Sequence, residues 1–249
     1  MAKKWRTEAE RHAFFLSKKV DRAIREHDMI SQGDRILIGV SGGKDSLSLV
    51  RLLSYGLVHS PIKYDLAAAH VRGDARGSEV DVPEGLARWV QSEGVEFHMR
   101  DIVLPDDEPL PMDCERCSRN RRRTLFEMAR DLGCNKVALG HNLEDFAHTA
   151  LMNLLSFGRL ETMAFSRSYF GGLFTVIRPL AYLREHELVR LARAGEFPVV
   201  ESACPMASTS RRQAARRLMH AVSGEFKHAA MSILRAARRN APVGEEEEM

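Results

Sequence analysis

The chain has 249 residues, 44% of them hydrophobic, and 37 lysines and arginines nearly balance 34 aspartates and glutamates, leaving a formal charge of +3. This length suits one large domain with an appendage, and the hydrophobic share supports a sizeable core, which excludes a wholly disordered chain. No uncharged apolar run approaches the roughly 18 residues that span a bilayer, so neither a transmembrane protein nor a membrane partner is expected.

The N-terminal region, residues 1–27, is rich in charge and carries apolar side chains at helical spacing. This pattern predicts a basic amphipathic helix over 2–26, which could contact phosphate or simply present a solvated face. The first residues lack the apolar run and the small-residue cleavage site of a secretory signal. Together with a single Cys-x-x-Cys pair, this favours a cytoplasmic protein.

From Arg35 onwards, short apolar runs alternate with segments of helical periodicity. The expected strands are 35–40, 64–71, 95–102 and 136–140, and the expected helices are 46–57, 83–94, 119–133 and 143–157. Alternation at these lengths predicts an α/β domain with a parallel sheet, which we place over residues 28–205.

The last third of the chain has a different pattern. Residues 165–180 predict a hairpin that turns at Gly171-Gly172, and helices are expected at 184–195 and across 209–239. We treat 206–240 as a basic helical C-terminal region. Residues 241–249 end in GEEEEM and are expected to form a disordered acidic tail.

The strongest local signal is the loop that follows the first predicted strand. It consists of Gly39, Val40 and the run SGGKDS over 41–46. Glycines let a backbone approach an anion closely, and the start of a helix presents unpaired N–H groups, so the loop predicts phosphate binding. Its spacing does not match a Walker A loop, because four residues after Gly39 comes Lys44 rather than a second glycine.

Three cysteines call for a joint explanation. Cys114 and Cys117 precede the predicted helix at 119–133, and Cys204 lies far downstream in SACPM. Zinc would need a fourth ligand, a redox disulfide would leave Cys204 unused, and three thiolates suit a 4Fe–4S cluster with one open iron. Spacing alone leaves these alternatives open. Cys134 is expected to be a small core residue.

The SGGKDS loop resembles the pyrophosphate loop of the ATP pyrophosphatases, which cleave ATP between its α and β phosphates. Taken with other segments, it resembles more specifically the tRNA 2-thiocytidine synthetase family. The segments that carry the resemblance are DMISQGDRILIGVSGGKDS (28–46), CERCSRNRRRTLFEMARDLG (114–133), KVALGHNLEDFAHTALMN (136–153), VIRPLAYLRE (176–185), FPVVESACP (197–205) and RRQ (211–213).

The resemblance implies a Rossmann-like fold, of the adenine nucleotide alpha hydrolase type, with flanking helices. It implies a cytosine C2 oxygen that is adenylated by ATP and then replaced by sulfur on tRNA, with a 4Fe–4S cluster, Mg²⁺, a sulfur donor such as a cysteine desulfurase, and a homodimer. The implied ATP-binding residues are Ser41, Gly42, Gly43, Lys44, Asp45, Ser46, Gly140 and His141. The implied cluster ligands are Cys114, Cys117 and Cys204.

Three residues are candidates for catalysis. Asp45 is the expected Mg²⁺ contact, Asp145 could bind Mg²⁺ or transfer protons, and Arg121 lies four residues after the second cysteine, where related thiolases place a basic residue. Departures from the family pattern include Glu144, which replaces a common aspartate, and the strand segment LAAAHVR (66–72), which ends in His-Val-Arg where relatives often have a terminal aspartate.

Basic residues cluster on both sides of the predicted cluster ligands. Residues 205–240 hold eight lysines and arginines against Glu225 alone. Such clusters predict contact with a phosphate backbone. The candidate RNA-binding residues are Arg119, Arg122, Arg123, Arg211, Arg212, Arg216 and Arg217. With only 7% aromatic residues, recognition through phosphates and shape is favoured over a broad stacking surface.

Three other functions compete with a tRNA thiolase. A lysidine-synthetase-like tRNA ligase would use the same loop but would need no third cysteine. A small-molecule sulfurtransferase or desulfidase would keep the cluster. An RNA-binding protein with a vestigial loop is disfavoured by the intact SGGKDS run.

Overall fold

The computed structural model of the protein describes residues 7–76, 85–200 and 211–239. The acidic tail, Cys204 and the first two residues of the helix expected at 83–94 lie outside these ranges. The helices are α1 (Glu8–Glu26), α2 (Lys44–His59), α3 (Leu86–Ser92), α4 (Cys114–Asp131), α5 (Leu143–Phe157), α6 (Glu185–Ala194), α7 (Arg211–Ser223) and α8 (Ala229–Arg239). The strands are β1 (Arg35–Gly39), β2 (Asp65–Arg72), β3 (Glu96–Asp101), β4 (Lys136–Ala138), β5 (Ser166–Tyr169) and β6 (Phe174–Ile177).

These strands form one six-stranded sheet in the order β3-β2-β1-β4-β6-β5. All neighbouring strands are parallel except β5 and β6, which form the antiparallel hairpin expected at 165–180. The predicted α/β fold with a mostly parallel, Rossmann-like sheet is confirmed.

Both faces of the sheet are covered, which explains why β1 is an uninterrupted apolar run. Ile36 and Ile38 face the larger core with α1, α2 and α6, while Leu37 faces a second core with Phe126 of α4; all three β1 side chains are fully buried. A central parallel strand between two helical layers needs apolar side chains on each face.

The C-terminal helices are part of the same packed structure. Both α7 and α8 pack on α5, and Leu234 of α8 is buried in the larger core. The boundary near residue 205 between the α/β domain and a C-terminal region stays a prediction. In the described part of the chain, no helix is long and apolar enough to cross a membrane.

The expectation that the cysteine pair precedes a helix is wrong. Helix α4 begins at Cys114, because the carboxylate of Asp113 accepts a hydrogen bond from the Arg116 backbone N–H at 2.8 Å and caps the helix. Cys114 and Cys117 therefore lie three residues apart at the start of α4, on neighbouring positions of the helix surface.

Candidate active site

The order of the strands determines where the site lies. The chain runs outwards from β1 to β2 and β3, and then returns to place β4 on the other side of β1. The carboxyl ends of β1 and β4 meet at this reversal, where open α/β sheets bind ligands. The SGGKDS loop follows β1, and Gly140 and His141 follow β4.

The loop is held by its own serines. The Ser41 and Ser46 hydroxyls are 3.3 Å apart, and the Ser46 hydroxyl donates to the Gly43 carbonyl at 2.9 Å. Gly42 has a φ of +86°, in the left-handed region that favours glycine. Gly43 caps α2 without a side-chain hydrogen bond, so the first N–H groups of this helix remain able to bind an anion.

Gly140 lets β4 approach the start of α2. A Cβ atom at this position would lie 3.1 Å from both the Asp45 carbonyl carbon and the Ser46 backbone nitrogen. These are backbone atoms of the loop's helix, so a side chain here would displace the loop. The predicted position of Gly140 beside the phosphate loop is thus explained by close packing.

Charged groups surround the start of α2. Lys44 Nζ lies 3.1 Å from carboxylate oxygens of both Asp45 and Glu185, and Arg216 Nη2 lies 2.5 Å from Glu185. Burial alone would lower the pKa of Lys44, but the two carboxylates outweigh it and raise that pKa. Burial likewise opposes a low pKa at Glu185, yet the Lys44 and Arg216 charges lower it.

Among these charged groups, Asp45 is the carboxylate whose burial is least offset by neighbouring positive charge. Burial raises its pKa, the Lys44 ammonium opposes the rise, and the carboxylates of Asp145 and Glu185 add to it. Its Oδ1 atom is buried and has no hydrogen-bond partner among the described residues. An unpartnered carboxylate oxygen at a phosphate loop is suited to bind a cation.

His141 is held as a neutral donor. The Arg178 Nε atom donates to His141 Nδ1 at 3.3 Å. Since a guanidinium has no acceptor, Nδ1 must accept and the ring proton must be on Nε2. Burial, helped by the charge of Arg178, lowers the pKa of His141 to about 3, so the ring stays neutral at ordinary pH. Arg178 is itself buried, which lowers its pKa to about 10 and leaves it charged.

Asp145 has a structural role as well as its predicted chemical one. Its carboxylate accepts the Asn142 backbone N–H at 3.1 Å, and its own N–H donates to the Asn142 side chain at 3.2 Å, which forms a capping box at the start of α5. The Asp145 side chain also lines the space beside the loop.

Arg121 and His70 anchor neighbouring backbone. The Arg121 guanidinium donates to the carbonyls of Val71 and Gly73, just where β2 ends. His70 Nδ1 lies 2.8 Å from the Val40 carbonyl, and burial lowers the His70 pKa. Both residues thus position the edge of the sheet that carries the loop, and Arg121 keeps one side facing the space beside it.

Two adjoining cavities make up the site. A smaller one of about 360 Å³ lies over the carboxyl ends of β1 and β4, and a larger cleft of about 1120 Å³ lies between the loop, α4, α5 and α7. Asp45, Asp145 and Arg212 line both cavities. The smaller cavity has the position of a nucleotide pocket, and the shared residues mark where its phosphates would meet the larger cleft.

One cysteine of the pair lines the larger cleft. Cys114 is exposed and lines the cleft together with Lys44 and Asp45, whereas Cys117 is half-buried one helical turn later and is not among the lining residues. Arg116 holds the preceding loop by donating to the Pro109 carbonyl at 2.8 Å and to the Glu108 carboxylate at 2.9 Å.

Cys204 lies outside the described residues. The described chain before it ends at the phosphate loop, where the Val200 N–H donates to the Gly42 carbonyl at 3.0 Å, and the described chain after it begins at Arg211, which lines the cleft. In the described ranges, no group of three His, Cys, Asp or Glu side chains is placed to hold a metal ion. A metal site built on Cys114 and Cys117 would therefore need a further ligand such as Cys204.

The predicted RNA-binding arginines occupy two helices beside the cleft. Arg119 and Arg122 of α4 and Arg211, Arg212 and Arg216 of α7 line it. The two remaining candidates, Arg123 and Arg217, are exposed on the same helices. The structure thus brings both sequence clusters to one opening.

Sequence reasoning gave no individual role to Glu185, Arg178 and His148. Glu185 and Arg178 belong to the segment 176–185, which carried the family resemblance. The sequence therefore marked the segment as important but did not indicate which residues these two side chains contact. His148 is buried at the wall of the larger cleft, and this burial lowers its pKa.

The chain is similar to known proteins over most of its length. A family model described as a PP-loop domain matches residues 15–222. A protein of Citrifermentans bemidjiense named tRNA-cytidine(32) 2-sulfurtransferase is 37% identical over 203 residues, which are 80% of this chain and 78% of the relative. One of the same name from Geobacter sulfurreducens is 36% identical over 228 residues, covering 89% of this chain and 88% of the relative.

A solved structure is also similar. The U34-tRNA thiolase NcsA from Methanococcus maripaludis, determined with its [4Fe-4S] cluster, superposes with a TM-score of 0.74 at 25% identity. The match covers 91% of this chain and 79% of that one.

Proposed function

The chain belongs to the tRNA-cytidine(32) 2-sulfurtransferase family of PP-loop proteins, and we propose that it uses ATP to replace the C2 oxygen of a tRNA cytidine with sulfur. It is an ATP-dependent tRNA sulfurtransferase, as the tRNA 2-thiocytidine resemblance implied. These relatives favour neither the ligase nor the small-molecule alternative.

One observation carries the proposal. The phosphate loop, the neutral His141 and Cys114 of α4 line two cavities that adjoin at Asp45 and Asp145, and Cys117 follows Cys114 by one helical turn. ATP in the smaller cavity would direct its phosphates towards the larger cleft, where a target base and the thiols would meet. Such placement turns a reaction between separate molecules into a local one.

The reaction has two steps. In the first, the cytosine C2 oxygen attacks the α-phosphorus, the bond between the α-phosphorus and the bridging oxygen breaks, and pyrophosphate leaves. In the second, sulfide attacks C2, the C2–O bond breaks, and the oxygen leaves as part of AMP. Adenylation is needed because an unactivated carbonyl oxygen is a poor leaving group.

The loop supplies the binding energy for the leaving group. The first N–H groups of α2, with Ser41 and Ser46, would bind pyrophosphate at the positive end of the helix dipole. Lys44 is placed to offset charge as it develops on the departing oxygen. In the free protein, Asp45 and Glu185 hold its ammonium ready.

Asp45 is proposed to bind Mg²⁺. Mg²⁺ commonly takes one or two carboxylates and completes its shell with phosphate oxygens and water. The unpartnered Oδ1 of Asp45 and the nearby carboxylate of Asp145 fit this requirement. His141 would donate through Nε2 to the bound nucleotide, because Arg178 occupies Nδ1.

A 4Fe–4S cluster fits the thiols of Cys114 and Cys117, with Cys204 proposed as the third ligand. When bound, such a cluster would supply an iron with an open position that can hold sulfur. The surrounding arginines would hold the RNA phosphates and keep the target base within the cleft.

Several partners follow from this function. tRNA is the substrate class of the named relatives, and we propose a cysteine desulfurase as the sulfur donor, a homodimer as the assembly and the cytoplasm as the location. Cytidine 32 as the target comes from the names of those relatives.

Anaerobic reconstitution tests the function directly. The full-length protein, loaded with iron and sulfide, should convert an unmodified tRNA transcript to one that contains 2-thiocytidine, with AMP and pyrophosphate as products, measured by mass spectrometry of digested nucleosides. A transcript with uridine in place of the target cytidine is the control and should not be thiolated. Release of AMP and pyrophosphate without formation of any thiolated nucleoside would contradict the proposal.

The pH dependence of pyrophosphate release should reflect Asp45. The carboxylate must be ionised to bind Mg²⁺, and burial raises its pKa above the ordinary 3.8, so kcat/KM should decline on acidification at a higher pH than for an ordinary aspartate. In Glu185→Gln this decline should move to lower pH, because a repelling carboxylate is removed and Lys44 is left to pair with Asp45.

The exposed Glu196 provides the matched control. Its replacement by glutamine should leave the pH profile in place. If the acidic limb of the kcat/KM profile does not move in Glu185→Gln, the ionisation of Asp45 does not govern that limb.

A further inference from the structure

A second cavity lies outside the active site. This groove of about 420 Å³ is formed by α4 and the turn between β5 and β6. Phe126 and Phe174 form its buried floor, with ring planes 2° apart and centroids separated by 5.7 Å. Phe170 and Leu173 stand at its wall and are 58% and 56% exposed. Exposed aromatic and aliphatic groups at a defined groove indicate a binding surface.

The turn presents Phe170 to the solvent. Its ring is nearly perpendicular to those of Phe126 and Phe174, at centroid distances of 5.6 and 6.3 Å, so one face is left uncovered by them. Phe170 has a φ of +53°, and Gly171 and Gly172 follow in the same left-handed region. This conformation is energetically unfavourable for a residue with a Cβ atom. The turn nevertheless places Phe170 in it and leaves its large apolar ring exposed.

The rim of the groove is basic. Arg119, Arg122, Arg123 and Arg130 surround the aromatic floor, with Glu127 as the single acidic lining residue. Arg119, Arg123 and Arg130 pair with exposed or half-buried carboxylates of the same helix, whereas Arg122 makes no ion pair with a described carboxylate. A flat apolar surface under several guanidinium groups suits a nucleobase that stacks while its phosphates are neutralised, which is how single-stranded nucleic acids are bound.

The groove continues into the large cleft. Arg119 and Arg122 of α4 line both the groove and the large cleft. A strand that places its target base in the cleft would pass these two arginines and bring a neighbouring nucleotide to Phe170. An apolar peptide would fit the floor of the groove but would leave the guanidinium group of Arg122 without an anion.

We propose that this groove binds an unpaired nucleobase of the substrate RNA, stacked on Phe170, next to the nucleotide that is modified. The inference rests on the proposed function, because it takes RNA as the substrate. The low aromatic content of the sequence favours RNA recognition through phosphate contacts, and the inference adds base stacking to those contacts. The 7% of aromatic residues is low on average, yet four of them are gathered at this hairpin and α4: Phe126, Tyr169, Phe170 and Phe174.

Fluorescence anisotropy with two RNA probes tests the groove. One is a labelled hairpin with unpaired loop nucleotides, and the other is a fully paired duplex of the same composition. Phe170→Ala in the full-length, reconstituted protein should weaken hairpin binding about tenfold, from the loss of one stacked base. Duplex binding should not change, and Phe170→Tyr should restore the hairpin affinity.

Phe226 provides a matched control, since it is 65% exposed and lies between α7 and α8, away from the groove. Phe226→Ala should bind both probes like the unaltered protein. Unchanged hairpin affinity in Phe170→Ala, or an equal loss for hairpin and duplex, would overturn the inference. A change of oligomeric state with unchanged RNA affinity would instead identify a protein interface and would also overturn it.

Thiolation of the tRNA transcript separates this inference from the proposed function. If the unaltered protein thiolates the transcript while Phe170→Ala binds RNA normally, only the groove assignment fails. If the unaltered protein thiolates no RNA, the proposed function itself fails.

Discussion

Replacing Cys114 with serine is expected to abolish thiolation while ATP binding persists. Cys114 is exposed at the start of α4, so the change should leave the fold intact. A serine hydroxyl does not replace a thiolate as an iron ligand, and loss of one of three ligands should lower the iron content well below about four per chain. Iron and sulfide analysis after anaerobic reconstitution, with nucleoside mass spectrometry, measures both effects. Cys204→Ser should give the same result.

Cys134 is the control for this experiment. It is buried in the smaller core, and burial raises the pKa of its thiol, which disfavours the thiolate. Cys134→Ala should therefore keep its iron and its thiolation activity, at a cost of about 1 kcal/mol in the free energy of unfolding. Full iron content in Cys114→Ser, or stoichiometric zinc without iron in the unaltered protein, would contradict the cluster assignment.

Asp45→Asn is expected to lower the rate of pyrophosphate release on the order of 10³-fold. An amide keeps the size of the side chain but removes the charge that would hold Mg²⁺ against the phosphates, and one preorganised electrostatic contact is worth about this factor. The rate can be followed in a coupled pyrophosphate assay with saturating tRNA. Asp131→Asn is the matched control, since Asp131 lies at the far end of α4 and pairs with Arg100.

The same variant should not lose stability. Because burial raises the pKa of Asp45, the folded protein holds its proton more tightly than the unfolded chain does. This carboxylate therefore reduces stability as the pH rises through its raised pKa, and an uncharged asparagine avoids that cost. A melting temperature well below that of the unaltered protein would show that Asp45 has a structural role instead.

The order of the elements and the chemistry of the loop could be read from the sequence. Ser41 to Ser46 form a phosphate loop because of their own side chains and the helix that follows, and these are neighbours along the chain. Alternating strands and helices predicted the parallel sheet, and Gly171-Gly172 predicted the hairpin. The start of α4 was missed, although Asp113, a residue type favoured at the N-cap, is a local signal of the same kind.

Other parts of the site depend on the tertiary structure. Glu185 reaches Lys44, and Arg178 fixes the proton of His141, only because α6 and the end of β6 pack beside the loop. These contacts join residues far apart in the sequence, and no spacing rule records them. Arg121, a candidate for catalysis from its position after the cysteines, also donates to the carbonyls at the end of β2.

The charge and composition of the chain show the same difference between what the sequence determines and what the tertiary structure decides. The sequence by itself determined that arginines are concentrated near 116–123 and 211–217, and it predicted a shared role for three cysteines and phosphate binding by the loop. Only the folded chain decided that both arginine clusters open onto one cleft and that scarce aromatic rings gather beside it. The physical reason is that local chemistry is encoded by adjacent residues, whereas a site assembled at a sheet edge depends on which distant segments are packed together.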